Sequence, residues 1–212
     1  ISMKLTVGQY QELWAIAKSE DLPEDKSTQS IAVVTGKTPA EVDDLPLNEY
    51  KLLDREIAKS LNELRLNTKP VSFLKVGKKL YQVNYKVGTL RAGQNTELQH
   101  WLKENDWIKN MDKILASAVV PCRRTLWWTL PRRNRAEAHE RVSEDMQAVD
   151  FSEAYGCVVF FCKIFAASIK GILPSLIPEM MKAGKTREQA LTFQTDLMKT
   201  LDGFTIQNGS LT

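Results

Sequence analysis

The hydrophobic period of the chain changes twice, and this limits its fold class more than any other feature. In the first third, apolar residues such as Ile57 and Leu61 recur one helical turn apart. From 71 to 87 apolar and polar residues alternate around Gly77, as in a β-hairpin. Helical spacing resumes near Gly93. The pattern predicts a mainly α fold of the α+β kind, with two small helical units around a central β-hairpin.

Helix starts are marked by the S/T-x-x-E/Q capping pattern at Thr6, Thr38 and Thr186. In this pattern the side chain of the first residue accepts a hydrogen bond from the backbone N–H of the fourth, and the side chain of the fourth accepts one from the backbone N–H of the first. Two backbone donors at the helix start thereby find partners. Between the first two starts we expect a polar linker over 19–26. The predicted helices are 7–18, 30–35, a short one from Thr38, 47–64, two between 93 and 120, 136–146, 151–172 and a last one from 186 to about 201, with a separate short element at 174–178.

These elements predict an N-terminal helical unit (1–68), the β-hairpin (69–90), a C-terminal helical unit (91–205) and a frayed tail (206–212). The two helical units echo each other, because GQxxEL opens a helix at Gly8 and again at Gly93. Each copy is followed by a short apolar helix and then by a longer one. Two interpretations stay open: an internal duplication of a three-helix unit, or a sequence that is simply a good helix start.

Catalytic signatures are missing from the sequence. The run from Gly36 to Thr38 ends like a phosphate-binding loop but has Ile31 where the first glycine belongs. Neither GxSxG nor HExxH occurs, and the two histidines stand alone. Cys122 precedes two arginines that could lower its thiol pKa, but no paired histidine accompanies it. We therefore expect no enzyme activity, no metal and no cofactor, with the three cysteines reduced in a cytoplasmic setting.

The longest apolar region, 155–177, is interrupted by Lys163, Lys170 and Pro174. A membrane span needs an unbroken apolar run of roughly 18–20 residues. We expect a buried central helix here and no membrane partner.

Val120–Val142 holds two adjacent tryptophans among six arginines. Around it, residues 67–150 carry 15 basic and 9 acidic side chains (+6), whereas residues 1–66 carry 8 and 12 (−4). Arginines among aromatic rings suit a nucleic-acid site, where they meet phosphates and bases. The same residue types dominate protein interfaces, and they also occur where tryptophans fill a protein's own core beside solvated arginines. The sequence leaves all three interpretations open.

Several segments together resemble small tail-assembly proteins of phages that infect gut Bacteroidetes. The segments are Thr6–Tyr10, Val42–Ile57, Lys78–Leu102, Ile114–Pro121 and a helix with Phe160 and Phe161. The chain departs from that pattern at Arg91, where a capping Ser or Thr would stand, and in its more basic run from Arg123 to Arg135.

The resemblance implies a non-catalytic tail assembly chaperone made beside the tape-measure protein. Such a protein would bind amphipathic helices of a tape-measure or tail tube protein in the bacterial host cytoplasm, or enter the virion, and could form a homo-oligomer. The alternatives are a nucleic-acid-binding accessory protein and a virion structural or connector subunit. A chaperone needs apolar surface framed by charge. The predicted partner-binding residues are Trp127, Trp128, Leu130, Arg132, Arg133, Arg135, Phe193, Leu197 and Leu201.

Overall fold

The computed structural model of this protein describes residues 4–64, 66, 68–104, 106–124, 129–131, 139–182, 184, 186–189 and 192. These residues form a mainly helical fold with a small antiparallel sheet, which confirms the predicted fold class. In chain order the elements are α1 (Val7–Lys18), α2 (Pro23–Thr35), α3 (Pro39–Asp43), α4 (Leu47–Asn62), β1 (Phe73–Val76), β2 (Lys79–Val83), a 3-10 turn (Val87–Thr89), α5 (Ala92–Lys103), α6 (Met111–Ala118), β3 (Val119–Arg124), β4 (Thr129–Pro131), α7 (His139–Gln147) and α8 (Phe151–Lys182).

The capping boxes form as predicted. At the start of α1 the Gln9 backbone N–H donates to Thr6 Oγ1 (3.2 Å), and the Thr6 backbone N–H donates to Gln9 Oε1 (3.1 Å). The boxes that begin at Thr38 and Thr186 have the same reciprocal pair of hydrogen bonds. Each box satisfies two donors that a helix start would otherwise leave without partners.

Helix α2 begins earlier than predicted, so the expected linker over 19–26 is wrong in its second half. Pro23 occupies the first turn, where its missing N–H costs nothing, and Glu24 and Asp25 follow it in the same turn. These are strong start signals, although Leu22 at the N-cap supplies no side-chain hydrogen bond. The helix ends at Gly36, whose φ of 71° lies in the left-handed region that glycine adopts without strain.

The predicted hairpin is confirmed, but it is half of a larger sheet with strand order β1-β2-β3-β4. Val119 and Val120 were expected to end a helix, which is wrong, because they begin β3, and β3 pairs antiparallel with β2. β4 in turn pairs antiparallel with β3. Proline cannot donate to a ladder, which makes it a poor strand signal. Pro121 is nevertheless accommodated within β3, opposite Tyr81.

Helix α8 is longer than predicted. The sequence suggested that it ends at Ile172 and that a separate element spans 174–178, because proline normally interrupts a helix. Instead α8 continues through Pro174 and Pro178 to Lys182. An internal proline removes one hydrogen-bond donor and crowds the preceding turn, which disfavours a helix but does not exclude one.

The chain divides into two compact units after Val158. In the first unit, buried side chains of α1, the sheet, α6 and α7 include Leu13, Leu74, Met111, Ile114 and Met146. A second cluster joins α2, α3 and α4 through Ile31, Ala32, Val42 and Ile57. The domain boundaries predicted at 68, 90 and 205 stay predictions.

The N-terminal segment is tied to the junction between α7 and α8. The Val7 N–H donates to the Val149 carbonyl, and the Phe151 N–H donates to the Leu5 carbonyl, each at 2.9 Å. Next to this pairing the rings of Tyr10 and Phe151 stack with centroids 3.6 Å apart. The start of the chain therefore packs against residues that follow it by well over a hundred positions.

The two helix starts that suggested a duplication share one feature of their local structure. Gln9 and Gln94 each accept the backbone N–H of the N-cap residue, at 3.1 and 3.3 Å. Their surroundings differ, because a methyl group on Gly8 would lie 3.4 Å from Gln147, whereas one on Gly93 would meet nothing within 4 Å. Both interpretations, duplication and a good helix start, stay open.

Candidate protein-binding surface

The Arg/Trp stretch is framed by two paired strands. β3 ends at Arg124 and β4 begins at Thr129, with Arg123 opposite Leu130 in the register. β4 lies at one edge of the sheet, and β1 lies at the other. Of the predicted partner-binding residues, only Leu130 belongs to the described residues, through its backbone. The others lie outside the described residues: Trp127, Trp128, Arg132, Arg133, Arg135, Phe193, Leu197 and Leu201.

The two faces of the sheet differ in burial. On one face Leu74, Tyr81 and Val83 are almost completely buried. The opposite face, called here the outer face, carries two rows of directly paired residues. One row is Phe73, Gln82 and Val120, and the other is Lys75, Leu80 and Cys122. Directly paired residues in antiparallel strands project to the same side, so these six side chains share a surface.

The outer face has an apolar centre and a more exposed, partly charged margin. Leu80, Val120 and Cys122 on β2 and β3 are half-buried, whereas Phe73 and Lys75 on β1 are exposed. Phe73 has 41% of its surface in solvent, which is unusual for a large aromatic side chain. This surface was not predicted from the sequence. Apolar residues stand at consecutive positions in β2 and β3, and this pattern is typical of strands that are covered on both faces.

The inner face is fixed to α7 by a carboxylate. Asp145 accepts hydrogen bonds from the Tyr81 hydroxyl and from the Lys79 ammonium, whose Nζ lies 2.6 Å from Asp145 Oδ2. Burial acts to raise the pKa of Asp145, but the hydrogen bonds from Lys79 and Tyr81 and the nearby charge of Arg141 hold the pKa below its ordinary value. These hydrogen bonds hold β2 against α7 and so anchor the sheet on the side opposite the outer face.

A second carboxylate, Asp112, is buried at the junction of α1, α6 and α7. Its Oδ1 accepts from Gln11 Nε2 (2.8 Å), and its Oδ2 accepts from Ser143 Oγ (2.6 Å) and more weakly from Gln147 Nε2 (3.4 Å). Only 3% of Asp112 is exposed. These donors all come from neighbouring helices, so the arrangement serves the packing of the three helices.

The thiols are not activated. Burial raises the pKa of Cys122, against a smaller lowering by a backbone hydrogen bond from Gln82. The pKa of Cys122 is thus above its ordinary value, whereas the sequence had suggested a lowered one. Burial also raises the pKa of Cys157, and it raises the pKa of Cys162 to about 12.

A serine and a histidine lie close together without forming a catalytic triad. His139 Nε2 is 3.1 Å from Ser117 Oγ, and the serine hydroxyl donates to the Lys113 carbonyl. Glu97 Oε2 approaches the same imidazole nitrogen at 3.7 Å, whereas a triad needs the carboxylate at the other nitrogen. Ser117 is also completely buried. The geometry provides neither an accessible nucleophile nor a free base.

Within the described residues, no group of three or more His, Cys, Asp and Glu side chains is placed to hold a metal ion. One described helical segment, Phe151–Ser168, is long and apolar enough to cross a membrane, with mean hydropathy 1.3. Half of this segment is buried, and a core helix of a globular protein meets the same criterion.

Comparison with known proteins adds no relative. No protein-family model matches the chain, and neither curated proteins nor solved structures contain a significant match.

Proposed function

We propose that this chain is a non-catalytic binding protein of phage tail assembly. It would shelter an amphipathic helix of a tape-measure or tail tube protein on the outer face of the sheet. The observation that carries the proposal is the exposure of Phe73 beside the half-buried Leu80 and Val120. The tail-assembly setting comes from the sequence resemblance alone.

Burial of Phe73 sets the scale of the interaction. A phenylalanine buries about 200 Å² when covered, so the exposed 41% corresponds to roughly 80 Å² that a partner could remove from water. At about 25 cal/mol per Å², this is worth about 2 kcal/mol, or close to 30-fold in affinity. One aromatic anchor of this size is typical of a hot spot.

Charge at the margin of the outer face favours a particular partner. Lys75 shares the surface, and Lys78 is exposed in the turn between β1 and β2. A helix with an apolar stripe and acidic flanks would match this arrangement, because rim charges select partners and orient them.

The proposal is tested by co-expression with the tape-measure protein that the resemblance implies is made beside this chain. We expect the wild-type chain to raise the soluble fraction of that product and Phe73→Ser to lose most of the effect. Leu52→Ser is the matched control, because Leu52 is 56% exposed and belongs to α4, outside the sheet. Failure of the wild-type chain to rescue solubility, or equal rescue by both variants, would contradict the proposal.

Nucleic-acid binding is the second candidate, favoured by the +6 charge of residues 67–150 and by the arginines that end β3. A DNA titration followed by fluorescence anisotropy decides it. Binding to phosphates should weaken steeply with salt and disappear in Arg132→Glu with Arg133→Glu. Phe73→Ser should leave such binding almost unchanged.

A further inference from the structure

A second apolar surface lies far from the sheet in sequence, at the beginnings of α2 and α4. Leu22 and Pro23 open α2, and Pro46 and Leu47 open α4. All four residues are exposed, with Leu22 at 65% and Leu47 at 67%. Among the described residues, these two leucines have the most exposed large apolar side chains. The four residues are called here the Leu/Pro patch.

Side-chain contacts bring the two helix starts together. The Tyr50 hydroxyl, one turn into α4, lies 3.4 Å from the Glu24 carbonyl in the first turn of α2. The same hydroxyl is 3.2 Å from Thr28 Oγ1, which in turn donates to Asp43 Oδ1. The Leu/Pro patch is therefore a local surface formed by adjacent helix ends.

Exposed carboxylates flank the residues of the Leu/Pro patch along the chain. None of them has an ion-pair partner within 4.0 Å in the described part of the chain, where the ion pairs involve other residues. The carboxylates belong to Glu20, Asp21, Glu24, Asp25, Asp43, Asp44 and Glu49. An apolar patch with an acidic rim matches a segment that is both apolar and basic.

The chain itself contains such a segment. Residues 123–135 combine two tryptophans and two leucines with five arginines and no acidic residue. The segment begins in β3 and includes β4, which lies at one edge of the sheet. Residues 1–66 carry a net charge of −4 and residues 67–150 a net charge of +6, so the two regions attract each other between molecules.

We propose that the Leu/Pro patch of one molecule binds the basic segment 123–135 of a second copy. The two contacting surfaces are different, so the interface is heterologous and joins copies head to tail. Each added copy leaves one free patch and one free basic segment, which allows rings or open chains. This inference does not depend on the proposed tail-assembly function.

Sedimentation velocity of the full chain over a range of protein and salt concentrations tests self-association. We expect oligomers that grow with protein concentration and dissociate as salt rises, because rim charges are screened. The patch variant Leu22→Ser with Leu47→Ser and the segment variant Arg132→Glu with Arg133→Glu should each weaken self-association by roughly tenfold or more. Leu52→Ser, another exposed leucine of α4, should leave it unchanged.

Mixing the two variants identifies a head-to-tail interface. The patch variant keeps its basic segment and the segment variant keeps its patch, so a mixture should form one-to-one dimers and nothing larger. Thermal denaturation followed by circular dichroism establishes that each variant is folded. If either variant is unfolded, the salt titration of the wild-type chain still tests the interface. A monomeric wild-type chain, salt-insensitive oligomers, or folded variants that fail to pair on mixing would overturn the inference.

Discussion

Replacing Asp112 with alanine removes the acceptor that joins α1, α6 and α7. Two short hydrogen bonds to the carboxylate are lost, from Gln11 (2.8 Å) and Ser143 (2.6 Å), and each bond to a charged group is worth about 1.5–3 kcal/mol. The bond from Gln147, at 3.4 Å, adds little. The gross loss is therefore about 3–6 kcal/mol.

Two effects determine the net cost. Removing a buried carboxylate also removes its desolvation penalty, which is several kcal/mol and offsets part of the loss. Gln11 keeps its hydrogen bonds to the Ile108 and Lys109 carbonyls, so the main unsatisfied donor is Ser143. We expect Asp112→Ala to lower the free energy of unfolding by about 3 kcal/mol. Asp112→Asn should cost about 1 kcal/mol, because the Ser143 hydroxyl can turn to accept from the amide.

Urea denaturation followed by circular dichroism measures these differences. The matched control is Asp44→Ala, an exposed carboxylate that should change stability by less than about 0.5 kcal/mol. A double-mutant cycle with Ser143→Ala should give a coupling energy of about 1 kcal/mol or more. Asp112→Ala within about 1 kcal/mol of wild type, together with no coupling to Ser143, would refute a structural role for the buried carboxylate.

Three further outcomes follow from the structure. The pKa of Asp145 is lower in the folded chain, so the stability that this carboxylate contributes is complete above the ordinary Asp pKa of about 3.9 and is lost as pH falls through the folded pKa. Asp145→Asn should therefore make the urea midpoint less sensitive to acid. An unchanged dependence of the midpoint on pH would contradict this. Gly36→Ala places a side chain at φ 71° and should cost about 1 kcal/mol in thermal denaturation, although no atom obstructs the new methyl group. Burial raises the thiol pKa values of Cys122 and Cys162, so both should react slowly with an alkylating reagent at pH 8 until urea unfolds the chain. Cys122, which is only half-buried, should react faster than Cys162. Rapid labelling of Cys162 in the folded chain would contradict the packing around it.

Local chemistry made part of the fold predictable from sequence. Helix α1 begins and ends where predicted, because the Thr6 capping box and the helical spacing of Tyr10 and Leu13 agree. The turn at Gly77 likewise defined the β1-β2 hairpin, since its φ of 54° suits glycine. In such places one short segment contains the whole signal.

The remainder depends on contacts between segments far apart in sequence. The ladder between β2 and β3 brings Leu80 next to Cys122, and no local pattern announces that pairing. The outer face was missed for this reason, since it exists only when β3 pairs with β2. Most of the predicted site, including Trp127 and Trp128, lies outside the described residues and stays a prediction.

The pairing of Leu5 and Val7 with Val149 and Phe151 has a consequence for folding during synthesis. A ribosome must deliver about 140 further residues before Leu5 and Val7 meet Val149 and Phe151, so this contact is highly non-local and forms late. The α2-α3-α4 cluster around Ile31 needs only neighbouring segments, and it can condense while the rest is still being translated. The Tyr10 ring, which stacks on Phe151 in the folded chain, therefore lacks this partner during most of elongation.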